Sequence, residues 1–463
     1  MDTVFSGKRA YEHLKVLAAD IGPRHGGSSS EARAARYIRD YFKSIGLRAR
    51  LVSYPIYSFE SAEAKLTTPR GKSIPCSPIP MTASTSARGI TREVIFLEGC
   101  EAAYLDGRVR NKIVVMFGKF VGALQEQFHA YEPAGVVSVQ TNAHQKHAGA
   151  PIKADGKRKI GSIPSVCLTF DDGMALIKNL PRKLTLKVVT KDERVRKGYN
   201  VVADLPGKEK DGDIIAICAY YDSVWIGPGA FDNGGGAAAI MELARVYAKK
   251  GSRYPMRFLA FGGEEMGVWG SRSYVKNLKD ENDRLKKDKN FELDGLRSEM
   301  DRHRFLVNID MAGPFYGKSN AIALGDRDIG ASVRLHSNEQ RYAIGIREDS
   351  VYSSDNMCFN YAGIPSLSFN RCGFGDLGGH TAGDVIDNCS PEGLAHISEF
   401  VESWIDRYLL GMHTFPFTRT LPESAKKGVD SWYKGKGNPL DYEVLGPEKK
   451  YRPSKKKPAK RGK

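Results

Sequence analysis

Residues 214–223 read IIAICA and then YYDS: six apolar residues in a row, Ile214 to Ala219, with a carboxylate at Asp222. A continuous apolar run of this length marks a strand buried on both faces of a parallel sheet, where neither face is left to water. The same arrangement recurs downstream. Met256–Phe261 (MRFLAF) runs into Gly262-Gly263-Glu264-Glu265, and Phe305–Ile309 (FLVNI) runs into Asp310. Helices are expected over Ala237–Lys249 and over Pro391–Leu410, the latter with Ser390 as N-cap and Pro391 in first position, and a further strand over Ile364–Phe369. Alternation of strand, loop and helix predicts an α/β doubly wound domain. The charged segment Lys276–Arg302 reads as a solvated helical excursion.

Working outward, residues 7–46 read as two amphipathic helices, the second from Glu31 to Ile45 with Ser30 as N-cap and Gly46 just past its end. Between about 55 and 188 the texture changes to short apolar runs such as Lys112–Phe117 and Gly135–Val139, broken by Gly, Pro and Asn, which predicts a small inserted β-rich domain. Its histidines, His129, His144 and His147, lack a neighbouring Cys or Asp cluster and read as a solvated loop rather than a metal site. The expected organisation is a catalytic domain over 1–54 and 189–415, the insert over 55–188, and a basic, disordered tail over 416–463.

The chain carries 70 Lys+Arg against 54 Asp+Glu over 463 residues, a net +16. Nine of those cations, with one Glu, fall in Pro447–Lys463, so the other 446 residues carry only +8 and no specific nucleic-acid partner is implied. Seven cysteines are scattered without a CxxC pair, which argues for a reducing compartment. With no apolar leader at the N-terminus and no window near 18 apolar residues, the expectation is a cytoplasmic protein without a membrane partner.

In open parallel sheets ligands bind beyond the carboxyl ends of the strands. Three strands here end in Asp222, Glu264/Glu265 and Asp310, and the loop Gly229–Gly236 adds Asp232 at a helix start, among glycines that let main chain approach a bound group. So many acids at one edge repel each other unless a cation sits among them, and a divalent metal supplies one. His380, in the Gly-rich segment Gly378–Asp384, is the candidate nitrogen ligand, with Asp384 and Asp387 placed to orient its ring.

The ordered motifs YDS (221–223), GAFDNGGG (229–236), GGEEMGVWGS (262–271), NIDMAG (308–313), SSDNMCF (353–359) with GIPSLSF (363–369), and HTAGD (380–384) resemble those of the zinc aminopeptidases of metallopeptidase family 28. The resemblance covers about 1–50 and 190–412. It implies an α/β fold in which a mixed, mainly parallel sheet is sandwiched by helices. Residues 55–188 are similar to the protease-associated domain inserted in some members, through DGRVRNKIVVMFG (106–118) and IPSVCLTFDDG (163–173). Carried over by position, the resemblance implies that Asp232 bridges two metals, that Glu265 and His380 complete one site, and that Asp310 belongs to the other. It implies Glu264 as general base, and Asp222 as the group that orients the ligand two residues before it.

That ligand is where the chain departs from the family. The family has His-x-Asp, and this chain has Tyr220-Tyr221-Asp222. A phenol, with an ordinary pKa of about 10, must lose its proton before it can ligate. Asp232, Glu265 and His380 form a complete catalytic zinc arrangement by themselves, while the second site is open between a phenolate ligand, another metal and vacancy. The expected function is a metal-dependent aminopeptidase acting on peptides. The alternatives are a non-catalytic binding protein on a peptidase fold and a single-zinc acyltransferase of the glutaminyl cyclase type. Arg371 reads as a surface residue before it reads as an anchor for a substrate carboxylate, Trp225, Trp269 and Phe374 read as packing, and Cys218 as a small buried residue.

Overall fold

Eight strands form the sheet that carries the acidic strand ends: β1 (Arg48–Ser58), β2 (Arg194–Leu205), β3 (Ile214–Tyr220), β4 (Met256–Phe261), β5 (His303–Ile309), β6 (Gly317–Leu324), β7 (Gly345–Glu348) and β8 (Ser366–Gly373). They lie in the order β1-β2-β4-β3-β5-β8-β6-β7. The structure is a computed structural model and describes residues 4–99, 105–118, 120, 123–140, 163–209, 212–288, 291, 296–348, 351–373 and 379–434. The central strands β4, β3, β5 and β8 are parallel, whereas β2 joins β4 and β6 joins β8 in antiparallel fashion. The sheet is therefore mixed with a parallel centre, as the resemblance implies, and is not wound in one sense throughout.

Register explains why the acids meet. Tyr220 pairs with Phe261 across β3 and β4, Cys218 with Asn308 across β3 and β5, and Ile309 with Phe369 across β5 and β8. The strands stop level with one another, so the residues that follow them emerge on one edge. Both faces of β3 are buried. Ile215, Ile217, Ala219 and Tyr221 join one apolar cluster, and Ala216, Cys218 and Tyr220 join another, which is the period-two alternation of a strand covered on both sides.

Helices α1 (Gly7–Lys15), α2 (Ser29–Ser44), α3 (Gly236–Lys250), α4 (Trp269–Leu285), α5 (Arg327–Gln340), α6 (Asn356–Tyr361), α7 (Pro391–Trp404) and α8 (Glu423–Lys434) complete this unit. Leu14, Ile38, Leu243 and Trp404, from α1, α2, α3 and α7, cover the first face; Tyr274, Leu278 and Phe359, from α4 and α6, cover the second. The cap of α2 is Ser28 rather than Ser30, because Ser28 Oγ accepts from Glu31 N at 3.0 Å. Ser390 caps α7 as expected, accepting from Gly393 N at 2.9 Å, but the α-helix ends at Trp404 and continues as a wider turn over Ile405–Leu410.

The described residues divide into two compact units, one made of residues up to Ser58 and from Val195 to residue 434, the other of Phe59–Arg194. The sequence reading set the junctions at 54/55 and 188/189. The first falls later because Arg48–Ser58 is a long strand of the first sheet, and the second because Lys183–Lys191 is a strand of the insert's own sheet. The Phe59–Arg194 unit holds its own eight-stranded sheet, in which Ile90–Leu97, Ile113–Phe117, Gly135–Val139 and Ser165–Leu168 run parallel. His129 lies in the helix Ala123–Tyr131, not in a loop; His144 and His147 lie outside the described residues. The tail expected to be disordered from 416 is ordered in its first part. Leu421 and three α8 residues, Ala425, Val429 and Tyr433, bury against Leu324 and Met357. Residues 435–463 lie outside the described set. Among the described residues, no helix is long and apolar enough to cross a membrane.

Candidate metal centre

The centre forms where β3, β4 and β5 end. Asp222, fully buried, accepts from the main-chain N–H of Glu264 at 3.0 Å and of Glu265 at 3.3 Å. It thereby fixes the turn after β4 rather than Tyr220 alone. Asp232 sits in an irregular turn, Ala230–Gly235, which Asn233 fastens to the end of β5. Asn233 Nδ2 donates to Ile309 O at 3.0 Å, and its Oδ1 accepts from Met311 N at 2.9 Å. The neighbouring glycines serve packing: a Cβ on Gly235 would stand 1.8 Å from Ala312 O. Close approach here is between two main-chain segments, not between main chain and a bound group.

Asp384 does not act as the sequence reading supposed. Its two oxygens accept from Phe231 N at 2.9 Å and Asp232 N at 3.0 Å, so it orients the Asp232 turn. Asp387 is exposed. His380 stands with its Nε2 3.3 Å from Asp232 Oδ2 and 3.2 Å from Glu265 Oε2. The three donor atoms all lie within 4.8 Å of one another. Tetrahedral zinc ligands at roughly 2.0–2.2 Å from the ion stand about 3.4 Å apart, so the set fits such an ion. Glu265 Oε1 is buried without a hydrogen-bond partner, as an acceptor awaiting a cation would be, and so is Asp310 Oδ1, which lies outside this three-donor set.

The acids cannot all be charged without a cation. Burial pushes Asp222 up to about 7, and burial together with the charge of Asp232 does the same to Asp310 and Asp384. Glu264 and Glu265 rise well above the carboxylate range, again chiefly through burial. Burial works against the charge of Asp232 too, but hydrogen bonds from His380 and Tyr220 and the nearby Arg24 hold it below its ordinary value.

Tyr220 is buried, and its hydroxyl donates to Asp232 Oδ1 and helps to hold down the Asp310 carboxylate. Burial first, then the charges of Asp232 and Asp310, push its phenol well above 10. Cys218 is likewise inert: it is fully buried and its thiol donates to Asn308 Oδ1 at 3.2 Å. Arg371 is no surface residue, being 8% exposed and bonded to Pro314 O at 3.3 Å. Trp269 packs as expected, with Nε1 on Met266 O at 3.1 Å; Phe374 lies outside the described residues.

The sequence reading assigned no role to Asp355, Arg24 or Glu31. Asp355 is fully buried and repels Glu264. Burial pushes its carboxyl well above the ordinary range, and the nearby Ser271 hydroxyl opposes that rise. Its signal was its place in SSDNMCF. Arg24 and Glu31 come from the N-terminal helical pair, where only the Gly-Pro-Arg-His-Gly-Gly run (22–27) hinted at anything beyond packing.

A parallel-centred sheet with a carboxylate–imidazole donor set at its carboxyl edge is an arrangement suited to metal-dependent hydrolysis. Residues 200–405 match the model of Peptidase family M28. It is 28% identical over 411 residues to Aminopeptidase YwaD of Bacillus subtilis, covering 86% of this chain and 84% of that one. It is 25% identical over 287 residues to Carboxypeptidase Q of Bos taurus, covering 58% and 61% of the two chains. In fold it is similar to a zinc aminopeptidase from Bacillus subtilis, with a TM-score of 0.72 at 24% identity over 88% of this chain and 96% of that one.

Proposed function

We propose that this chain is a zinc-dependent aminopeptidase that releases N-terminal residues from peptides, with one catalytic ion held by Asp232, Glu265 and His380. The observation that carries the reading is the convergence of those three donors beside Glu264. The likeness to Aminopeptidase YwaD over most of both chains supports the substrate class. Zinc in this position supplies Lewis acidity to a peptide carbonyl and to water. Glu264 takes a proton from that water and returns it to the leaving amine, and the upward push of burial on its carboxyl suits it to hold the proton between the two steps. Asp222 keeps base and ligand in register through the two N–H groups it accepts from.

Tyr220 favours a single ion. Its hydroxyl occupies the side of Asp232 that a second cation would share, so Asp310 has a phenol where the family has an imidazole ligand. The Phe59–Arg194 unit is read as protease-associated-like, on the two motifs that resemble that domain. The seven cysteines, scattered along the sequence without a CxxC pair, support a reducing, cytoplasmic setting.

The test measures zinc content and the hydrolysis of aminoacyl anilides, their N-acetylated forms and C-terminally extended dipeptides. About one zinc per chain is expected, with cleavage only where the amino group is free. Glu264→Gln should lower kcat by about 10²–10⁴-fold at unchanged zinc content. Zinc-loaded protein that cleaves nothing, or a Glu264→Gln variant as active as wild type, rules the reading out.

A further inference from the structure

We propose that Arg24 is a positioning residue of the metal centre: by tying the main chain at Tyr221, Pro228 and Gly229 it closes the loop between Asp222 and Asp232 and so sets the spacing of the metal donors. The proposal rests on the reading of Asp232, Glu265 and His380 as a zinc site. Arg24 is fully buried. Its Nε donates to Tyr221 O, Nη1 to Pro228 O, and Nη2 to Gly229 O at 2.8 Å; Nη1 also reaches Leu17 O and Gly22 O, each at 3.3 Å. All five bonds go to main-chain carbonyls. The planar fork of a guanidinium is thus spent on holding backbone, a task the single ammonium of lysine cannot repeat. The Arg24 main chain joins in, donating from N to Ser223 Oγ at 3.1 Å, while Ser223 Oγ donates to Gly227 O at 2.9 Å.

The loop so tied has no regular structure of its own between β3 and the Asp232 turn. Its far end is Gly229, at φ +55, where a Cβ would stand 2.5 Å from Asp232 O. Gly234 leaves room for the guanidinium, since a Cβ there would lie 3.0 Å from Arg24 Nη2. One side chain therefore clamps the residue before Asp222 and the Pro228–Gly229 main chain that leads into the Asp232 turn. A buried cation without a hydrogen-bonded carboxylate is costly to keep, and it stands among Asp222, Asp384, Asp232 and Glu265, which together support its charge against burial.

Charge and clamp make opposite forecasts. By Coulomb attraction alone, deleting a cation beside the centre tightens the binding of a metal ion. Freeing the loop loosens it. The experiment titrates Co²⁺ and Zn²⁺ into the metal-free full chain, as wild type, Arg24→Met, Arg24→Lys and Ser223→Ala, and records the visible cobalt spectrum, well below each melting temperature. Arg24→Met is expected to weaken both ions by about tenfold or more and to change the cobalt bands. Arg24→Lys and Ser223→Ala should shift in the same direction by less. Variants that bind as tightly as wild type, or more tightly, with the wild-type spectrum overturn the proposal. Should Arg24→Met fail to fold, the other two variants decide by the same criterion. Wild-type protein that binds neither ion overturns the zinc reading, and this proposal with it, whereas unchanged variants of a binding wild type overturn the proposal alone.

Discussion

On the single-ion reading proposed above, Tyr220 is the residue that limits how many ions the centre takes. An imidazole in its place would offer a lone pair to a cation, whereas the buried phenol offers a proton, and Asp232 Oδ1 receives it. A side chain that satisfies a carboxylate as a donor removes the reason for a second cation on that side. Tyr220→His is therefore expected to raise the zinc bound from about one to about two ions per chain, with Asp310 supplying the remaining ligand. Metal analysis after dialysis checks this, and an unchanged stoichiometry would show that Tyr220 is not what closes the second site. Nothing in the run IIAICAYYDS reveals the phenol's partner, because Asp232 lies twelve residues on, beyond a turn whose path depends on Asn233 and β5.

Among the elements, α2 contributes more than packing. Glu31, on its first turn, is fully buried, accepts from Gly27 N at 3.1 Å and from the Tyr221 hydroxyl at 3.1 Å, and is pushed up to about 8 by burial and by the charge of Asp222. A carboxyl raised in the folded state from an ordinary 4.5 binds more protons folded than unfolded across that interval. Its contribution to stability is present at the lower pH and is lost as pH rises through about 8. Asp222, Asp310 and Asp384, raised to about 7, act with the same sign in metal-free protein. Chelator-treated protein should thus melt higher at about pH 6.5 than at about pH 8.5. His13 and His303, which burial pushes down to about 4, act with the opposite sign, but only at the low edge of that range, where their unfolded imidazoles still hold protons. Glu31→Gln should narrow the difference in melting temperature, and the same difference in both proteins would count against Glu31 as its source. The burial of Glu31 was not legible, since a charged residue early in an amphipathic helix ordinarily faces water.

Across the chain, the charge turns out to be unevenly shared. Residues 59–194 contain 20 Lys+Arg against 13 Asp+Glu, a net +7, and 447–463 carry +8, so the metal-bearing unit is close to neutral. The positive excess outside the tail therefore belongs almost wholly to the Phe59–Arg194 segment of the sequence. The C-terminal region separates into two functions accordingly. Removing 423–463 strips Ala425, Val429 and Tyr433 from Leu324 and Met357, at about 1.5–3 kcal/mol for each large side chain, and should lower the melting temperature by several degrees. Removing only 447–463 should weaken retention on a cation exchanger and leave melting temperature and zinc content unchanged. A shorter deletion as damaging as the longer one would contradict this division.

The continuous apolar strands, the acids at their ends and the order of the motifs were all readable in the chain, because burial on both faces and a crowd of carboxylates are local, compositional facts. Met256–Phe261 and Gly135–Val139 are strands within the bounds those runs set. What pairs with what was not readable. The antiparallel joining of β6 to β8, the bond from Tyr220 to Asp232, the grip of Arg24 on Tyr221 about 200 residues away and the transfer of Asp384 from His380 to the Asp232 main chain depend on how distant segments come to lie side by side. A sequence records which groups are present at each strand end. Only the packing of those ends against one another decides which oxygen meets a proton, which meets main chain, and which is left for a metal.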